Sequence, residues 1–267
     1  MLGAMADVFK FSVDGEILEP GEAFLPLPDD GLLRGDGVFE VARIYGGRPF
    51  ALGPHFDRMK KSAAAIGLEL ERGLLESDAG RLISSVEPCD CLVRIIQTRS
   101  GRRILSLEEL PAHTPTITLA SVRYSPTLIL NGVKSLSYAA NMQATRLAKE
   151  AGADEALFVR PDGVVLEPPT SSIFWATREG QLRTPALEAG VLDSITRRKI
   201  VERLEVEEGE FQFEDLLGAT EAFLASTTRE AHPVSRIDEY ELPKVDGEQT
   251  RAAAEAFAQA LAADIGD

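Results

Sequence analysis

Apolar and polar residues alternate through "VFKFSVDGEIL", and the alternation breaks at Asp14-Gly15, a pair suited to a tight hairpin turn. The same period of two runs through "GVFEVARIYGGRPFAL" and breaks at Gly46-Gly47, which predicts a second hairpin. From Pro54 the period changes. Phe56, Met59, Ala63 and Ile66 recur at helical spacing behind a proline suited to a first turn, so "PHFDRMKKSAAAIGLEL" is expected to be a helix. Another helix is expected over Leu74 to Val86. Strands "CLVRIIQTR" and "TPTITLASVRY" would close the N-terminal half.

"RYSPTLILNG" is turn-rich and leads into the second half. There "SYAANMQATRLAKEAG" predicts a helix ending at Gly152, and "DEALFVRPDGVVLEP" a hairpin around Pro161-Asp162-Gly163. A strand pair follows in "SSIFWATREGQLRTP", then a helix over "ITRRKIVERLEVEEG", a strand "EAFLASTT" and an amphipathic tail helix "VDGEQTRAAAEAFAQALAADIG". Strand meanders with helices set to one side, in both halves, define an α+β fold. No G-x-G-x-x-G or P-loop is present, which argues against a doubly wound nucleotide fold, and there is no internal repeat.

Composition narrows the function classes. With 267 residues, 44% hydrophobic and 27% charged, the chain can bury a core. No apolar run approaches the roughly 20 residues of a membrane span, and "MLGAMADVFKFS" lacks the basic-then-apolar pattern of a signal peptide. A soluble, cytoplasmic protein is expected. A net charge of −15 argues against nucleic-acid or anionic-membrane partners, while a few of the arginines could still hold a small anion. Cys89 and Cys91 would share a strand face, an arrangement poorly suited to a disulfide. With the scattered His55, His113 and His232 they make no metal-ligand spacing, so no metal is expected.

Lys134 is one of seven lysines against twenty-one arginines, and it stands in "NGVKSLSYAANMQATRL" with no acid close by in sequence. It reads either as a solvated lysine at a strand-to-helix junction or as a partly desolvated amine whose lowered pKa suits attack on a carbonyl. Glu167, in "VVLEPPTSSIFWA", ends a strand whose apolar residues read as buried, where a carboxylate needs a partner. Arg197 or Arg123 would serve, as would a heteroaromatic nitrogen made cationic by the pairing. In "LDSITRRKI", Asp193 or Ser194 caps a helix whose first turn, Ile195 and Thr196, offers free N–H groups and a hydroxyl to an anion. Ser226, Thr227 and Thr228 end a strand and could form a turn or ring a phosphate. Arg58 sits on a helix among apolar positions. A phosphate site, an acid for a ring nitrogen and a reactive amine are together the three handles of pyridoxal phosphate.

In these residues the sequence resembles the class IV aminotransferase family, pyridoxal-phosphate enzymes of fold type IV. The resemblance runs from about Phe11 to Pro233 and rests, in order and spacing, on "DDGLLRGDGVFEVARIYGGRPF", "HFDRMKKSA", "VKSLSY", "DEALFVRPDGVVLEPPTSSIFW", "LDSITR" and "STTREAHPV". It implies a Schiff-base lysine at Lys134 and a pyridine-nitrogen acid at Glu167. It implies a phosphate arginine at Arg58, a phosphate clamp at Ile195 and Thr196, and a last phosphate ligand at Thr227. Tyr138 lies one position from a tyrosine that some members set against the cofactor's phenolic oxygen. The resemblance further implies a homodimer of two-domain chains, with residues 1–121, a loop 122–132, residues 133–267, and the cofactor between the domains. Its substrates would be an amino donor and a keto acid.

Two departures bear on chemistry. Pro168-Pro169 stands where the family has a glycine after the acid, removing a backbone N–H. The family spans branched-chain L-amino acid, D-amino acid and R-selective amine transaminases as well as 4-amino-4-deoxychorismate lyases. Phe39, Arg43, Arg94 and Thr228 are the expected substrate-contacting residues. Arg102 and Arg103 in "TRSGRRILS" form either a hairpin tip or a carboxylate clamp without the histidine of the D-amino acid enzymes. An aminotransferase is expected, with the lyase as the alternative.

Overall fold

The computed structural model describes residues 7–266; Met1–Ala6, part of the stretch inspected for a signal peptide, lie outside them. The chain forms two compact units. One holds the chain up to Ala112 together with Val133–Tyr138 and the residues from Asp264; the other holds His113–Gly132 and Ala139–Ala263.

In the first unit, β1 (Val8–Val13) and β2 (Glu16–Leu18) form the expected hairpin, Val13 opposite Glu16. The short helix α1 (Asp30–Arg34) is capped by Asp29, whose carboxylate accepts from the Leu32 N–H at 3.1 Å. Then come β3 (Gly37–Tyr45) and β4 (Arg48–Pro49), turning at Gly46-Gly47 as expected. Helices α2 (Leu52–Ala65) and α3 (Arg72–Ile83) follow, and β5 (Cys91–Thr98) and β6 (Arg103–Glu108) complete an antiparallel sheet ordered β2-β1-β6-β5-β3-β4. Alternation puts Val38, Ala42, Ile44, Val93, Ile95, Leu105 and Leu107 on one face. They pack against Phe56, Met59 and Ala63 of α2 and Leu75, Ala79 and Leu82 of α3. Strand β6 was not anticipated, because its start reads as a charged turn. Arg102 pairs with Asp14, and Arg103 with Asp78 (2.9 Å) and Glu71 (3.0 Å), so both arginines sit among carboxylates at the hairpin end.

The second unit contains β7 (Ile117–Arg123), α4 (Ala139–Glu150), β8 (Glu155–Val159), β9 (Ser172–Ala176), β10 (Leu182–Pro185) and α5 (Ile195–Val201). It continues with β11 (Val206–Gly209), α6 (Phe213–Leu217), β12 (Glu221–Ser226), β13 (Glu230–Ile237), β14 (Tyr240–Glu241) and α7 (Glu248–Ile265). The sheet order is β11-β10-β9-β12-β13-β7-β8, with β14 beside β13. Two expectations are corrected. Strand β7 does not close the N-terminal half, since it hydrogen-bonds in parallel to β8 and β13. The helix over "ITRRKIVERLEVEEG" stops at Val201, because Val206–Gly209 gains a parallel ladder with β10. Strands β8, β9 and β12 are buried at every position, which is why they read as apolar runs rather than alternations. Phe174 stacks on Phe223 at 5.0 Å in this core.

Cys89 and Cys91 are free thiols. Burial, with Cys89 and Asp90 adding to it, pushes the Cys91 thiol up to about 12, which makes it an inert core residue. No helix among the described residues is long and apolar enough to cross a membrane.

Candidate active site

Lys134 lies along the edge of β3. Ser135 stands opposite Val38 in an antiparallel bridge, the Phe39 N–H donates to the Lys134 carbonyl (3.1 Å), and the Leu136 N–H donates to the Gly37 carbonyl (3.0 Å). The Lys134 N–H donates to the buried Ser62 hydroxyl of α2 at 3.1 Å, so both of its backbone polar groups are satisfied. This close pairing requires glycine at position 37, where a Cβ would come within 2.6 Å of the Gln97 carbonyl and 2.7 Å of the Leu136 side chain.

Residues opposite one another on antiparallel strands share a face. Lys134 therefore rises beside Phe39, with Nζ 4.3 Å from the ring centroid and 5.7 Å from that of Tyr138. The Tyr138 ring meets Phe39 edge-on at 5.3 Å. A half-buried amine in an aromatic corner is held by cation–π attraction rather than by water alone. Arg43 and Arg94 rise from the same face as Phe39, since Arg43 follows it by four residues and Val41, two residues on, pairs with Arg94. The Arg94 guanidinium is 5.8 Å from the Phe39 centroid and forks onto Glu108, with bonds of 2.6 and 2.8 Å. The Ser106 hydroxyl also donates to Glu108, at 2.7 Å. Arg43 lies over the Tyr45 ring at 4.4 Å.

Arg58 belongs to the helix-covered side of the same sheet. Its Nε and Nη2 donate to Glu40 at 2.7 and 2.6 Å, and His55 Nδ1 lies 2.8 Å from the same carboxylate. Glu40, His55 and Arg58 are buried, with exposures of 0%, 2% and 6%. Burial alone would raise the Glu40 carboxyl, but the Arg58 charge and hydrogen bonds and the His55 contact outweigh it and hold it at about 2. Burial lowers the His55 imidazole, the Arg58 and Lys134 charges lower it further, and Glu40 opposes them. The sequence reading did not single out Glu40 or His55 as site residues. Their signals were a charged residue on the core-facing register of β3 and the i, i+3 spacing that places His55 above Arg58.

In the second unit Glu167 follows two buried residues, Val165 and Leu166, and is itself half-buried. Its Oε1 accepts from the Leu192 N–H at 2.7 Å, and its Oε2 accepts a longer bond from Ser172 (3.4 Å). Arg197 is committed to Glu208 and the Pro185 carbonyl, while Arg123 donates to the Arg160 carbonyl. Pro168 and Pro169 are buried, and the Pro169 carbonyl accepts from Asn141 at 2.9 Å. The turn after the acid is thus fixed by a side-chain donor.

The bond from Leu192 joins Glu167 to the loop that starts α5. Ser194 caps that helix by accepting from the Arg197 N–H, and Ile195 and Thr196 form its buried first turn, each 2% exposed. The helix packs on β12 through Ile200 against Phe223 and Ala225. Ala225 pairs with Ser172, so the end of β12 and the half-buried turn Thr227–Thr228 lie at the same edge of the sheet as Ser172. The second unit therefore gathers a carboxylate, a capped helix start and two hydroxyls at one end of its sheet.

In the first unit a half-buried amine stands against aromatic rings, and in the second a carboxylate steadied by a backbone donor stands with hydroxyls beside a helix start; each is a kind of group through which pyridoxal phosphate is held. Residues 37–237 match the model of the family described as amino-transferase class IV. The aminodeoxychorismate lyase of Bacillus subtilis is 31% identical over 271 residues, covering 90% of this chain and 90% of that protein. The D-alanine aminotransferase of Bacillus licheniformis is 31% identical over 253 residues, covering 86% and 88%. A hypothetical aminotransferase from Mycobacterium tuberculosis, solved in a form with pyridoxal phosphate bound, superposes with a TM-score of 0.86 at 24% identity. That likeness covers 96% of this chain and 99% of that one. The chain belongs to the class IV aminotransferase family. Its fold is fold type IV, and its cofactor is pyridoxal 5'-phosphate.

Proposed function

We propose that this protein is an aminotransferase that moves an amino group between an amino acid, or a primary amine, and a 2-keto acid. The observation that carries the proposal is Lys134. Its backbone is fixed along β3, and its amine is held over Phe39 on the face that also presents Arg43 and Arg94. Pyridoxal phosphate, when bound, supplies an electron-withdrawing ring that spreads the negative charge developing at the substrate's α-carbon.

The chain's own groups do the rest. Lys134 Nζ would hold the cofactor at its aldehyde, and it is the amine placed to move the proton at the substrate's α-carbon. Glu167 would pair with the pyridine nitrogen and keep it protonated, and the Leu192 N–H fixes one oxygen of that carboxylate. Arg58, Ile195, Thr196 and Thr227 would hold the phosphate, and Glu40 fixes the Arg58 guanidinium through its Nε and Nη2 edge. Tyr138 steadies Phe39 and faces the lysine amine. Phe39, Arg43, Arg94 and Thr228 contact the substrate. The working form is a homodimer.

A second reading is supported by the Bacillus subtilis relative: a lyase that releases pyruvate from 4-amino-4-deoxychorismate. Elimination begins with the same proton removal, so Lys134 and Glu167 serve both reactions. The test is to add D-alanine, a branched-chain L-amino acid and an R-amine separately to the holoenzyme while following the cofactor's visible absorbance. Loss of the band with one donor, restored by a keto acid, establishes the transaminase and its handedness. A band that no donor discharges, with pyruvate released from aminodeoxychorismate, establishes the lyase.

A further inference from the structure

The face that carries Lys134 also holds a carboxylate that the proposed mechanism does not use. Glu108, at the end of β6, is 6% exposed, and both its oxygens are engaged by the Nε and Nη2 edge of Arg94 at 2.6 and 2.8 Å. Ser106, itself 5% exposed, donates to the same carboxylate at 2.7 Å. Glu108 is thus fixed by three short bonds. Arg94 is about a third exposed, and its guanidinium and the Lys134 ammonium approach one ring, that of Phe39, at 5.8 and 4.3 Å. Arg94 and the lysine amine thus flank the same Phe39 ring, so a small molecule reacting at the amine meets the Arg94 side of that ring.

The forked edge of Arg94 is the geometry with which arginine binds a carboxylate, and Glu108 already occupies it. We infer that Glu108 is a specificity-determining residue. By holding the Arg94 fork, it sets the site against substrates carrying a second carboxylate and in favour of keto acids with uncharged side chains. A dicarboxylate reaching Arg94 must either break the Arg94–Glu108 pair or take the remaining Nη1 side of the guanidinium, and in both cases it lies beside the Glu108 carboxylate. A monocarboxylate leaves the pair intact. This is discrimination by an occupied partner and like-charge repulsion, not by pocket size.

The inference rests on the aminotransferase reading, and one set of measurements separates the two. Wild-type holoenzyme, Glu108→Gln and Ser106→Ala are assayed with one amino donor and two acceptors, 2-oxoglutarate and pyruvate. The readout is the ratio of kcat/KM for 2-oxoglutarate to that for pyruvate. Glu108→Gln should raise the ratio about tenfold or more, the worth of one charge-assisted pair. Ser106→Ala, which loosens the carboxylate without burying an unpaired charge, should raise it less, in the same direction. Adding Arg94→Ala to Glu108→Gln should abolish the gain. A ratio unchanged or lowered in both single variants overturns the inference while the aminotransferase stands. Should Glu108→Gln not fold, Ser106→Ala and the binding of 2-oxoglutarate to it decide alone. Wild-type protein that transfers no amino group to either acceptor overturns the underlying reading instead.

Discussion

Glu40 takes both donors of the Arg58 fork, at 2.7 and 2.6 Å, within a cluster from which water is almost wholly excluded. The pair is worth most when compared with half of itself. Removing one partner of a buried ion pair strands the other charge and costs about 3–5 kcal/mol. Glu40→Ala should therefore lower the denaturant midpoint strongly and weaken pyridoxal phosphate binding more than pyridoxal binding. Urea titration and cofactor titration with the two forms check this. Equal loss for both forms would mean that the carboxylate supports only the fold.

The same cluster dictates an acid response in two stages. Burial holds the His55 imidazole below the ordinary 6.5 in the folded protein, so as pH falls the unfolded chain gains this proton first. Stability should therefore decline as pH falls below about 6.5, before ordinary carboxylates titrate. Glu40 acts later. Its carboxyl is held at about 2 against an ordinary 4.5, so its stabilisation is full above 4.5 and is lost as pH falls towards 2, about 3 kcal/mol in all. Thermal unfolding from pH 8 to pH 4 should show the first limb, and His55→Gln should remove it. A melting temperature flat from pH 7 to pH 5 in the wild type would contradict the assignment.

Lys134→Ala should reduce kcat by at least about a thousandfold, the scale of a lost proton carrier. The melting temperature should stay close to that of the wild type, because the segment's backbone bonds to β3 and Ser62 do not involve the side chain. Steady-state turnover and thermal unfolding of the holoenzyme are the measurements. An active Lys134→Ala enzyme would sink the mechanism.

Glu167→Gln should slow α-proton removal by about a hundredfold, while cofactor affinity falls far less. The amide keeps an acceptor for the Leu192 N–H but no longer favours a protonated ring nitrogen. Stopped-flow half-reactions with an α-deuterated donor report the step directly, since its isotope effect should rise in the variant.

Much of this was legible in the chain, and the rest was hidden for identifiable reasons. The Asp14-Gly15 and Gly46-Gly47 hairpins and the helix after Pro54 followed from local periodicity and turn chemistry, and they stand where expected. Strand β7 was placed in the wrong half because strand pairing is non-local: nothing within Ile117–Arg123 says that its partners are β8 and β13. Strand β13, which was not anticipated, begins at a glutamate with φ 56° and carries Pro233, both of which weaken a strand signal. Lys134 and Glu167 stood out because each is a charge in apolar company. The Lys134–Phe39 pairing could not be read, since it joins positions 95 residues apart through the edge of a sheet (134 against 39).

That edge has a consequence for how the polypeptide is made. Val133–Tyr138 belongs to the first unit, yet the chain on both sides of it belongs to the second. As the protein is synthesised, Gly37–Phe39 emerges almost a hundred residues before its hydrogen-bonding partner. Until then β3 presents unpaired N–H and C=O groups, the kind of edge that invites pairing with a neighbouring chain. No single cut separates the first unit, lysine included, from the second. A polypeptide released at Ala112 would carry the seat prepared for the amine, with a sticky margin in place of the residue that closes it.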